Sequence, residues 1–194
     1  MSAMAPSTLQ ERKRRVTRDH IERVALQLFA QRGYEGTTIE DIAEAAGISG
    51  RTFFRYFPAK EDVVFADHPD QLARFAEALR TDESDDSPPV RALRALQATN
   101  VTTETAELKV RRSLYAVPAV RDRSHRLAAE YKAVFAEHLM ERDPSIDRVD
   151  AALVTGAIWG AHMTVFELVG EEGREPSTEH VMGRAVELLQ RGIR

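Results

Sequence analysis

Residues 37–62, TTIEDIAEAAGISGRTFFRYFPAKED, confine this chain more tightly than any other stretch: two short helical patterns, a glycine corner and an aromatic cluster share 26 positions. Thr37 followed by Glu40 has the spacing of a capping box, so a helix is expected to start at Thr38 or Ile39 and to turn Ile42, Ala43 and Ala46 inward. Gly47 permits a left-handed backbone at the corner, and Ile48 plugs the angle between the helices. Ser49 offers a hydroxyl to cap a further helix through Tyr56, and Pro58 stops it. Phe53 and Phe57 lie four apart, share one face and are assigned to the core. Arg51, Thr52, Phe54, Arg55 and Tyr56 remain for other faces. A short helix held proud of a three-helix unit can enter a DNA major groove with its first residues at base edges. A plain helical hairpin with aromatic packing would share the pattern.

The flanking residues extend the unit. Ile21, Val24, Ala25, Leu28 and Phe29 mark one face of a preceding helix, with Thr17 as its expected N-cap and Gly33 as its stop. Ahead of it, Arg12, Lys13, Arg14, Arg15 and Arg18 form a basic arm, read either as a phosphate or minor-groove contact or as a solvated terminus. Overall the chain carries a net charge of −4, which argues against coating nucleic acid by bulk attraction. The imbalance is local: residues 1–66 hold 10 Lys+Arg against 9 Asp+Glu, and the remainder 17 against 22.

With 194 residues, 43% of them hydrophobic, the chain can bury one or two cores. The absence of cysteine excludes disulfides, thiolate metal sites and a cysteine nucleophile. Residues 1–10 lack the apolar run of a secretory leader, and residues 151–166 are too short and too interrupted to span a bilayer, so no membrane association and a cytoplasmic location are expected.

Residues 30–66 resemble the DNA-binding domain of the TetR family of one-component bacterial transcriptional regulators. The matching string is F-A-x-x-G-Y-x-x-T-T-I-x-D-I-A-x-x-A-G-I-S-x-x-T-F-F-x-Y-F-P-x-K-E-D, from Phe29 through Asp62. The resemblance implies an all-α protein in three parts: a basic arm (1–15), a three-helix DNA-binding domain with a helix-turn-helix (16–60), and a helical ligand-binding and dimerisation domain (61–194). By the same resemblance, Thr37 and Thr38 contact backbone phosphates, and Arg51 and Thr52 contact bases or phosphates. Phe54 packs on thymine methyls or sugars, while Tyr56 and Lys60 clamp phosphates. Ser49 and Gly50 at the helix start, and Arg55 facing groove or solvent, complete the expected DNA-binding set. Many relatives have tyrosine where this chain has Phe54, so only the apolar part of that contact remains.

Past residue 60 the pattern stays helical, with an expected break at Pro69, an acidic solvated connector over residues 81–89, and helices near 90–99, 105–116, 124–141, 146–169 and 178–191. Residues 146–169 are apolar nearly all round, as in a helix buried on several sides. One stripe of it, Ala152, Gly156 and Gly160, allows close helix approach, either within a subunit or across a dimer seam shared with Val181, Ala185 and Leu188. The resemblance favours the seam, since TetR-like regulators dimerise through their last two long helices. Another stripe, Trp159, His162, Met163 and Phe166, fits either plain core or the wall of an apolar ligand cavity. Tyr131, Phe135, Arg111, Leu114 and Tyr115 are its candidate partners.

Six histidines without metal spacing, no phosphate loop and no nucleophile elbow leave no catalytic, metal or cofactor assignment. The expected protein is a homodimeric repressor of a double-stranded DNA operator, released by a small-molecule effector that is acyl-CoA-like or otherwise apolar. A helical protein-interaction adaptor and an all-α enzyme are the alternatives.

Overall fold

The computed structural model describes residues 9–99 and 106–172, with Arg184 and Glu187 beyond them. Regular structure among the described residues is all helical. The order is α1 (Leu9–Arg32), α2 (Ile39–Ala45), α3 (Gly50–Tyr56), a 3-10 turn (Lys60–Phe65), α4 (His68–Thr81), α5 (Pro88–Thr99), α6 (Ala106–Leu114), α7 (Pro118–Arg142) and α8 (Arg148–Glu172). The helix expected over residues 178–191 lies outside the described residues.

Two compact units divide the chain: Met1–Ala66 with Thr105–Val120, and Asp67–Glu104 with Arg121–Arg194. The first unit is built on Ile21, Val24, Leu28 and Phe29 of α1, Ile42 of α2, Phe53 and Phe57, with Val63 and Val64 behind them. α1 begins at Leu9, ahead of Thr17, so Thr17 is no cap. Its hydroxyl donates to the Lys13 carbonyl at 3.0 Å, one turn back. The expected arm is therefore helical from Leu9, because its Glu, Arg and Lys residues are good helix formers. α2 begins at Ile39, one of the two expected starts, but its cap is not Thr37. Thr38 is the N-cap, and it shares a capping box with Asp41. Gly33 (φ 74°) and Gly47 (φ 67°) supply the left-handed corners that close α1 and α2.

The first unit does not stop at residue 60. It runs through Ala66 and takes in α6, whose Leu114 joins the core together with Val120. Arg111 of α6 forms an ion pair with Glu22 of α1 and donates to the Val64 carbonyl at 3.2 Å. Both side chains are mostly covered (19% and 13% exposed), and burial pushes the Arg111 guanidinium pKa down. Removing one member of such a pair leaves an uncompensated buried charge, which makes the contact specific to this docking.

In the second unit, α4 and α5 pack together over Phe75, Leu79, Ala92, Ala95 and Leu96, against Phe135 and Leu139 of α7 and Ile158 and Trp159 of α8. Pro69 sits in the first turn of α4, where no backbone donor is needed, so it opens that helix after the break. Pro118 opens α7 in the same way, six residues before the expected start. The acidic connector is pinned. Arg94 pairs with Asp82 and Asp86, and Arg142 donates to the carbonyls of Asp82 and Ser84. Beneath it Arg91, only 4% exposed, directs a guanidinium nitrogen at Nε2 of His138.

That contact requires a neutral His138 accepting at Nε2. Burial, then Arg91 and Arg142, hold the His138 pKa below its usual value, against smaller opposing effects of Glu141 and Asp82. The unfolded chain binds the proton first as pH falls below about 6.5, so this site's stabilisation is present above that pH and declines beneath it. Thermal melts from pH 7.5 to 5 should fall less steeply for His138→Gln than for the parent; identical slopes would show that His138 does not contribute.

Candidate nucleic-acid interface

α3 is too short to persist alone and is held by caps and anchors. Ser49 Oγ accepts from the Thr52 amide at 3.1 Å and pairs with the Thr52 hydroxyl at 2.9 Å. Phe53 and Phe57 are fully buried, and Arg18 of α1 lies 5.3 Å from the Phe57 ring centroid. With that face inward, Arg51 and Arg55 are exposed and Phe54 stands 52% exposed, its ring edge-on to Phe53. Arg55 stacks its guanidinium 5.3 Å from the centroid of Tyr56, which is half-buried against the core. Gly50 at the helix start has open space around it. Two arginines, a capped N-terminus and an exposed aromatic on one short helix form a surface suited to phosphates and base edges.

Two residues of the expected DNA-binding set make hydrogen bonds within the unit. Thr37 is fully buried, and its hydroxyl donates to the Gly33 carbonyl at 2.8 Å, so it closes the α1–α2 turn. Lys60 is also engaged inside the unit. Its ammonium donates to the carbonyls of Tyr34 and Thr37, both at 2.9 Å. Thr38 remains exposed, with its hydroxyl donating to Asp41 at 2.6 Å. That bond and the Thr38 amide hold the Asp41 carboxyl below the usual carboxylate range.

The candidate ligand residues separate between the units. Arg111, Leu114 and Tyr115 belong to the first: Arg111 is committed to Glu22, Leu114 is core, and Tyr115 packs edge-on to Phe65 at 6.0 Å. Tyr131, Phe135 and Trp159 belong to the second. There Tyr131 stacks on Trp159 at 5.5 Å and Phe75 meets both rings edge-on, at 5.2 and 5.8 Å. Polar groups missed in the sequence rim this cluster. His68 Nε2 lies 3.2 Å from the Glu130 carboxylate, and the Tyr131 hydroxyl donates to Gln71 at 3.5 Å. His68 and Gln71 sit one turn apart at the start of α4, a spacing that only gains meaning once α7 supplies Glu130 and Tyr131. The side chains of His162, Met163 and Phe166 lie outside the described part of α8, and Val181, Ala185 and Leu188 lie outside the described residues. Ala152, Gly156 and Gly160 are exposed. No group of His, Asp or Glu among the described residues is arranged to hold a metal ion, and no described helix is long and apolar enough to cross a membrane.

Residues 21–66 match the family of bacterial regulatory proteins called the tetR family. The HTH-type transcriptional regulator TcmR of Streptomyces glaucescens is 56% identical over 55 residues, covering 28% of this chain and 24% of that protein. The HTH-type transcriptional repressor KstR2 of Mycolicibacterium smegmatis is 39% identical over 61 residues, covering 31% of this chain and 29% of that one. The chain thus spans about a quarter of the length of these curated relatives. Over nearly the whole chain, the fold is similar to that of FadR from Thermus thermophilus, a TetR family transcriptional repressor solved in complex with lauroyl-CoA. The TM-score there is 0.60, with 24% identity and coverage of 91% of this chain and 95% of that one. The matched segment contains α2, the Gly47 corner and α3, the helix-turn-helix of this chain.

The two adjacent phenylalanines of α3 separate core from surface. Phe53→Ala should destabilise the protein by about 3–5 kcal/mol, whereas Phe54→Ala should change stability by no more than about 0.5 kcal/mol. Chemical denaturation of both variants checks this, and comparable losses would contradict the rotation assigned to α3.

Proposed function

We propose that this chain is a sequence-specific DNA-binding transcriptional regulator, a homodimeric repressor that reads a palindromic operator and is released by a small, largely apolar ligand. The observation that carries the proposal is α3 itself: Phe53 and Phe57 fix its rotation while Arg51, Phe54 and Arg55 stay exposed. Arg51 and Thr52, near its N-terminus, are the residues to read base edges, and Thr38, Ser49, Gly50 and Tyr56 flank them. The relatives named above are transcriptional regulators, and no catalytic role is proposed. Such a regulator acts in the cytoplasm, where its DNA is.

The dimer part of the reading draws on α8. Ala152, Gly156 and Gly160 form an exposed stripe, and a Cβ added at either glycine meets nothing within 4 Å. Val149 and Leu153 on the same helix are 65% and 67% exposed, an apolar surface that a second copy would cover. The ligand part draws on the rings of Phe75, Tyr131 and Trp159 with His68, Gln71 and Glu130 beside them, an apolar surface with few orienting polar groups. A fold of this kind holds lauroyl-CoA in the Thermus thermophilus protein, which favours an acyl chain or similar apolar effector.

Two measurements test the reading. In mobility shifts across a salt series, the parent should prefer one sequence over random DNA, and Arg51→Ala should weaken the preferred complex by about 1–3 kcal/mol with little change on random DNA. Equal losses on both would reassign Arg51 to the backbone. Gly156→Leu inserts a bulky chain where the second copy is proposed to approach, and overpacking of that kind costs about 1–3 kcal/mol. Sedimentation should show a monomer that no longer binds the operator while its helical content is kept. A leucine variant that stays dimeric and binds normally would remove Gly156 from the seam.

A further inference from the structure

We infer that Arg91, Arg142 and His138 form a binding site for a small tetrahedral oxyanion of two charges, of the sulfate and phosphate class, and that the Asp82 carboxylate is its internal competitor. The cluster lies in the second unit, where α5, the C-terminal end of α7 and the acidic connector meet. Arg91 carries the argument. It is only 4% exposed, its Nη2 is directed at Nε2 of His138, and its Nε is buried with no hydrogen-bond acceptor. A buried guanidinium is ordinarily matched by a carboxylate, because burying a charge against neutral groups is costly. Among the described residues no carboxylate pairs with Arg91. None pairs with Arg142 either, which donates to the carbonyls of Asp82 and Ser84. Only Arg94, beside them, has acids as partners, Asp82 and Asp86.

The groups are close enough to act on one another. Burial first, and then Arg142, lowers the Arg91 pKa, against Asp82 and Asp86; burial, Arg91 and Arg142 lower that of His138, against Glu141 and Asp82. Asp82 thus acts on both Arg91 and His138, while its oxygens accept from the Ser84 amide at 2.9 Å and from Arg94 at 3.0 Å. Arg94 is 51% exposed, and an ion pair so open to water holds weakly, so the Asp82 carboxylate is exchangeable. A dianion in its place brings two charges where Asp82 brings one. Its oxygens can accept from the Arg91 Nε, from Arg142 and from a protonated His138 together. Arg94 also ties the connector through Asp86, so what exchanges with Asp82 beneath it is a free ion and not a group on a larger molecule. An adjacent dianion favours the charged imidazole. The oxyanion therefore raises the His138 pKa, and by linkage its own affinity rises as pH falls.

Sulfate is the probe, since its charge does not change over the range in which histidine titrates. Calorimetric titration of the full-length protein, at fixed ionic strength with chloride as the balancing anion, should show one saturable sulfate site per chain. Binding should be about tenfold tighter at about pH 5.5 than at about pH 7.5, and the His138 proton resonance, identified by its loss in His138→Gln, should titrate about one pH unit higher in sulfate. His138→Gln should bind with an affinity independent of pH. Arg142→Gln, a change at an exposed side chain, should weaken binding about tenfold. Asp82→Asn keeps an oxygen for the Ser84 amide and should tighten binding, whereas Asp85→Asn, the same charge change at an exposed neighbour, should not. Phenyl phosphate should compete much more weakly than sulfate. Heats that never saturate, or binding indifferent to both pH and Arg142→Gln, would show adventitious attraction to surface cations only and overturn the site. Equal tightening by Asp82→Asn and Asp85→Asn would overturn the competitor role of Asp82, and phenyl phosphate competing as well as sulfate would overturn the assignment to a free ion.

Discussion

The burial of Phe53 and Phe57 is the constraint on which the first unit depends. A seven-residue helix has almost no stability of its own, so its orientation must come from what it buries. Two rings four residues apart, both fully covered, fix the rotation of α3 about its axis and leave Arg51, Phe54 and Arg55 outside. Each buried ring contributes about 1.5–3 kcal/mol, more than the exposed residues beside it could supply. The chemistry on the exposed face of α3 is therefore chosen by packing on the opposite side of the helix, and the Ser49 cap fixes where that helix begins.

The same unit recruits α6, which is distant in sequence. Leu114 and Val120 add to its core, and the Glu22–Arg111 ion pair specifies which part of α1 the recruited helix meets. A covered ion pair contributes little net stability over an apolar pair, but a misdocked α6 would bury an unpaired charge. The division of the chain into compact units thus follows side-chain complementarity and not the order of segments. The second unit relies on a related device: Arg94 and Arg142 hold an acidic loop that charge repulsion would otherwise keep extended.

Most of the helix-turn-helix is legible in the sequence because its rules are local: a glycine corner, a serine cap, a four-residue aromatic spacing. The choice of Thr38 over Thr37 as the cap of α2 has a local cause too. Thr37 and Thr38 are each followed three residues on by an acid, Glu40 and Asp41, and only packing decides that Thr37 is buried and Thr38 caps. Lys60 was not legible, since its partners are backbone carbonyls 26 and 23 residues earlier, which no side-chain pattern announces. Nor was the pairing of Arg111, whose partner lies on the first helix, or the gathering of His68, Gln71 and Glu130 around Tyr131. Trp159 of α8 was legible as apolar. Which other rings and polar groups it meets depends on how α4 and α7 pack.

The central claim is that paired copies of α3 read DNA. Its most direct measurement is selection of bound fragments from the source genome, followed by footprinting of the full-length protein on those recovered. The account predicts enriched fragments carrying an inverted repeat, protected symmetrically, with half-site centres about one helical turn or a multiple of it apart. Recovery of random fragments, or protection of a single asymmetric half-site by a monomer, would contradict it.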